Sequence, residues 1–87
     1  MTVTVVVEHR FSPALDLAQP ITVDDRVGPC LPAYEIGWRN SWFACDGTRG
    51  VCVYDAPDAE TVRRAYRAAG VQFAAVWSAR PLHRGAD

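Results

Sequence analysis

The stretch Cys52-Val53-Tyr54-Asp55-Ala56-Pro57-Asp58-Ala59-Glu60-Thr61-Val62-Arg63-Arg64-Ala65 decides the fold, because a strand ends and a capped helix begins inside it. Val51 to Tyr54 is β-branched and aromatic, the composition of a pleated, half-buried strand. Pro57 has no N–H for a sheet ladder and holds Ala56 extended, so the strand stops there. Asp58 follows as an N-cap whose carboxylate accepts from the free N–H groups of the first turn. Glu60 places a negative charge at the positive end of the helix dipole. Val62, Ala65, Tyr66 and Ala69 recur at helical spacing, with Arg63, Arg64 and Arg67 on the other face. Gly70 supplies the left-handed residue that closes the helix, and Val71 folds back on its last turn.

Working outward, Val3 to Phe11 reads as the first strand. Val3, Val5, Val7 and His9 share one face, and Thr4, Val6, Glu8 and Arg10 share the other. Both faces begin apolar, as in a central strand covered on two sides. Ser12 to Pro20 reads as a loop. Thr22 can cap a helix with Asp24 and Asp25 in its first turn, but Gly28, Pro29 and Pro32 follow closely. The expectation is a short or kinked element from about Val23 to Tyr34. Ile36 to Cys45 is the second strand, Asp46-Gly47 the turn, and Arg49 to Asp55 the third strand. Phe73 to Arg80 is the last strand. The domain spans 1–82, and 83–87 is a polar tail.

The order β-α-β-β-α-β predicts an α+β, ferredoxin-like fold: a four-stranded antiparallel sheet with two helices on one face. The hairpin register has two solutions. A three-residue loop, Cys45-Asp46-Gly47, sets Asn40 opposite Cys52 and Trp38 opposite Tyr54. A two-residue Asp46-Gly47 loop sets Ser41 opposite Cys52. The first gathers Trp38, Asn40, Trp42, Cys52 and Tyr54 on one wall, and the candidate pocket below follows it.

The chain has 87 residues, of which 49% are hydrophobic, with three Trp, three Tyr and three Phe. A domain of this size buries only about 60% of its unfolded surface by itself. That much apolar surface predicts a second copy over the bare sheet face, a homodimeric α+β assembly. Net charge is −1, so there is no basic footprint for nucleic acid. All nine basic residues are Arg, which removes lysine Schiff-base chemistry. Met1 to Glu8 is too short and too poor in basic residues for a signal or membrane segment, so the expectation is cytoplasmic, with no membrane partner. Three cysteines without metal-type or redox spacing read as reduced, structural thiols.

Val7-Glu8-His9-Arg10-Phe11, Cys30-Leu31, Ile36-Gly37-Trp38, Ser41-Trp42, Asp46-Gly47-Thr48-Arg49 and Cys52 to Glu60 recur in an order and spacing that resembles a known family. It consists of small bacterial proteins of unassigned function, one branch of which is described as nickel-binding and ferredoxin-like. The resemblance covers about Val3 to Leu82. It implies the same fold, a homodimer, and a metal ion, nickel, or a small molecule as partner. Relatives often carry His where this chain has Tyr34, His or Arg at Asn40, and Arg at His9. Two imidazole ligands are thus missing and one is gained.

The candidate metal ligands are His9 and His83, imidazoles suited to nickel or zinc, although a first-row ion wants at least three donors. The candidate ligand pocket is Glu8, Trp38, Asn40, Trp42, Cys52 and Tyr54. Trp77 is also suited to line it, and a plain packed core is the bland alternative. Glu8 stands out, since an unpaired carboxylate in an apolar strand costs several kcal/mol. It is expected to meet Arg10, Arg39, a partner chain's Arg or a ligand. Without a nucleophile elbow, phosphate loop or carboxylate pair, the leading expectation is a binding protein. The alternative is a cyclase, isomerase or cofactor-free monooxygenase in the cavity of a dimeric α+β barrel.

Overall fold

A computed structural model describes residues 1–18 and 27–82. Strand β1 is Val3–Arg10, β2 Gly37–Phe43, β3 Arg49–Ala56 and β4 Ala75–Ala79, and helix α1 is Ala59–Ala69. The four strands form one antiparallel sheet in the order β2-β3-β1-β4, the ferredoxin-like arrangement. Of the troubled element before β2, Thr22 to Arg26 lie outside the described residues. The described part makes two 3₁₀ turns, Gly28–Cys30 and Pro32–Tyr34, each with proline in its first turn, where a missing N–H costs nothing. The fold is α+β.

α1 forms as its sequence dictates. Asp58 Oδ1 accepts from the Thr61 N–H at 2.7 Å and from the Thr61 hydroxyl at 2.6 Å. Gly70 has φ 71°, and the Val71 N–H reaches the Tyr66 carbonyl at 3.0 Å, which uses up last-turn acceptors. Val62, Ala65 and Tyr66 are buried against the sheet. The Arg63 guanidinium donates to the Val76 carbonyl at 2.7 Å, which ties the helix to β4.

All core side chains of the sheet's helix side come from one parity. Val5 and Val7 of β1, Cys52, Tyr54 and Ala56 of β3 and Val76 of β4 pack with Val27, Leu31, Ile36 and α1. Val5, Val7, Val27 and Val62 are fully buried. Each such side chain contributes about 1.5–3 kcal/mol relative to exposure. The molecule measures 41 × 34 × 20 Å, and its short dimension matches two layers about 10 Å apart. The second face of the sheet therefore carries no layer of described residues.

The hairpin corrects the adopted register. Ala44 and Arg49 pair through a 2.9 Å hydrogen bond, so the loop is Cys45-Asp46-Gly47-Thr48, longer than either solution supposed. Asp46 Oδ1 takes the Thr48 N–H at 3.0 Å and the Thr48 hydroxyl at 2.6 Å, a side-chain turn that closes the four-residue loop. Those bonds hold the Asp46 carboxyl below its usual range. Ser41 consequently lies opposite Cys52 and Asn40 opposite Val53. A bulge at Arg39 then shifts the pairing by one, and Trp38 lies opposite Tyr54 after all. Each solution holds on one side of the bulge.

Candidate functional site

The candidate pocket residues divide between the two faces of the sheet. On the helix side lie Cys52, Tyr54 and, at the edge, Trp38. The Trp38 indole donates to Ser41 Oγ at 3.0 Å, and that hydroxyl to the Cys52 sulfur at 3.1 Å. The Tyr54 and Tyr66 hydroxyls are 2.6 Å apart in the core. Burial, and after it the Tyr66 ring hydroxyl, pushes the Tyr54 phenol above its ordinary range. The Tyr54 hydroxyl therefore stays protonated, and the buried polar side chains among the described residues are all hydrogen-bonded.

His9 closes the other end of this layer. Its ring stacks on Phe11 with centroids 6.0 Å apart, and its Nε2 lies 3.5 Å from the Tyr66 hydroxyl. His83 lies outside the described residues. Among the described residues no three His, Cys, Asp or Glu side chains come together as a metal cluster. His9, the single described imidazole, is half-buried between aromatic rings beneath the sheet. The donor set of one chain's described residues does not fit a resident nickel centre.

The other face holds Glu8, Asn40 and Trp42. Register places them in two adjacent rows across the strands. One row runs Trp42, Val51, Glu8, Ala75, and the next Asn40, Val53, Val6, Trp77. Trp42 is 65% exposed and Trp77 45% exposed, one on each edge strand, with three valines between them. The Trp77 indole N–H donates to the Glu8 carboxylate at 2.6 Å. Of the partners expected for Glu8 within the chain, Arg10 makes no ion pair with it and Arg39 turns to Asp55 at 3.6 Å. The bulge explains this, since Arg39 is the residue it displaces from the ladder.

Sequence reasoning passed over two participants. Ser41 was set aside with the register that turned out to hold near the turn. Tyr66 read only as a helix core position, and nothing in its spacing announced a partner hydroxyl. Trp77, already suited to line a pocket by its sequence, meets Glu8 only through the β1–β4 register, which its own strand does not announce.

Among the described residues no helix is long and apolar enough to cross a membrane. No curated protein matches the sequence. Among solved structures, the chain resembles SCO4226 from Streptomyces coelicolor A3(2) at 20% identity and a TM-score of 0.59, over 93% of this chain and 99% of that one. It also resembles an unknown protein from Galdieria sulphuraria at 16% identity and a TM-score of 0.59, over 95% of this chain and 48% of that one. At these identities the likenesses speak for the fold. The model of the family described as "Nickel responsive protein SCO4226-like" matches residues 6–78, and the chain belongs to that family.

Proposed function

We propose that this chain is a small homodimeric binding protein whose two open sheet faces meet and enclose a ligand between them. The observation that carries this reading is the uncovered face itself: Trp42 and Trp77 at its edges, Val6, Val51 and Val53 as its floor, and one carboxylate set among them. In a monomer Val6 is already buried, but Trp42 and Trp77 stay exposed and Val51 and Val53 half-buried, and covering them releases about 25 cal/mol for each Å² of apolar area. A two-fold interface is self-complementary, so one face suffices for both copies.

The family's description supports a role in handling a small guest, and nickel is the guest it points to. Because one chain's described donors do not assemble a metal cluster, nickel would need donors from two copies or from His83. A small organic guest between the sheets needs no such donors. No nucleophile activated by a neighbouring base lies on the open face among the described residues, so binding is preferred to catalysis.

The test is native mass spectrometry with elemental analysis on untagged protein, accompanied by light scattering. The expected result is a dimer with a stoichiometric guest, and conversion to monomer on Val53→Glu with the far-UV spectrum retained. A wild-type monomer that carries nothing and does not respond to Ni²⁺ refutes the proposal.

A further inference from the structure

We infer that the open sheet face binds a primary organic ammonium with a flat apolar body, and that Glu8 is its anchor. The inference rests on the reading of this face as the binding surface and names the class of guest. Glu8 sits in the row between Val51 and Ala75, with Val6 and Trp77 in the row beside it. A carboxylate accepts about four hydrogen bonds. The Trp77 indole provides one, and among the described residues no cation bridges the carboxylate. Arg10 and Arg49 lie opposite each other one row away on the same face, yet neither forms an ion pair with Glu8. Arg63 and Arg67 are committed to Glu60 on the helix.

The surroundings select among charged guests. An indole N–H only donates, so Trp77 cannot ligate a metal ion, and Glu8 with two indoles is a poor set for nickel. An anion would face the carboxylate directly. An ammonium instead gains a charge-assisted hydrogen bond from the free carboxylate oxygen. Trp77 meets the carboxylate through its N–H edge, and the valine floor with the exposed Trp42 takes an apolar body. Trp38 is on the other side of the sheet, bound to Ser41, and serves as an internal control.

The experiment follows the three indole N–H cross-peaks of ¹⁵N-labelled protein during titration with 2-phenylethylamine, 2-phenylethanol and 3-phenylpropionate. The Trp42 and Trp77 signals are expected to shift with the amine, while Trp38 stays in place. The alcohol and the acid should need at least about tenfold more ligand for the same shift. Glu8→Gln keeps an oxygen for the Trp77 N–H and removes the charge, and it should weaken amine binding by about tenfold or more. Equal binding of amine and alcohol overturns the inference, as does an unchanged affinity in Glu8→Gln or a Trp38 shift as large as the others. A separate arm with Ni²⁺ alone also decides: perturbation of Trp77 by nickel in wild type and not in Glu8→Gln assigns the carboxylate to a metal and overturns the inference. Light scattering on the same samples reports the assembly independently, so loss of the dimer and loss of amine selectivity are told apart.

Discussion

Replacing Tyr66 with Phe removes one oxygen from the core and leaves the Tyr54 hydroxyl without its 2.6 Å partner. Tyr54 is 0% exposed and Tyr66 2%, so no solvent reaches in to substitute. The Cys52 thiol remains beside Tyr54, but sulfur is a weak partner. Leaving a buried hydroxyl unsatisfied costs about 1–3 kcal/mol. For a domain of this size each 1 kcal/mol moves Tm by about 4–8 °C. Tyr54→Phe should cost less, because the Tyr66 hydroxyl keeps the His9 Nε2 at 3.5 Å. In the double variant both hydroxyls are gone and no orphan is left, so its loss should fall below the sum of the singles by about 1 kcal/mol or more. Urea unfolding followed by far-UV circular dichroism measures the cycle. The pH dependence adds a second reading: the native Tyr54 pKa lies above that of an unfolded tyrosine, near 10, so its contribution is complete below that pH and is lost as pH rises past it. Additivity within about 0.5 kcal/mol, or a Tyr66→Phe variant as stable as wild type, would refute the claim that the pair acts as a unit.

Two further changes test the turn and the cap. Gly47 has φ +74°, and a Cβ there would run into the Leu15 carbonyl, which belongs to the loop whose N–H bonds Gly47 O at 2.8 Å. Gly47→Ala should therefore cost about 1–2 kcal/mol from the left-handed backbone alone, and more from the displaced loop, read as a lower urea midpoint; an unchanged midpoint speaks against that packing. Asp58→Ala should lower Tm at neutral pH. The Thr61 hydrogen bonds hold the Asp58 carboxyl below its ordinary range, so its contribution is present above the unfolded carboxylate's pKa and disappears as pH falls through the native one. The gap between wild type and variant should close in acid, and a gap independent of pH would show that the cap does not act through its charge.

The short-range features of this protein were legible in the chain. Pro57, Asp58 and Gly70 mark where β3 ends, where α1 starts and where it stops, since a missing N–H, a capping carboxylate and a left-handed residue act within a few positions of themselves. The parity of Val3, Val5 and Val7, and the order of elements, were enough for the sheet and its central strand. The distribution of the site residues was not legible. Trp38 and Trp42 have the same parity in a regular strand, and only the bulge at Arg39 sends them to opposite faces. The Glu8 and Trp77 side chains meet across 69 positions of sequence, and Tyr54 and Tyr66 across the gap between sheet and helix. Such pairings depend on how strands line up and how layers stack. No run of neighbouring residues encodes them, and tertiary structure alone decided which aromatic groups face the core and which wait on the open side of the sheet.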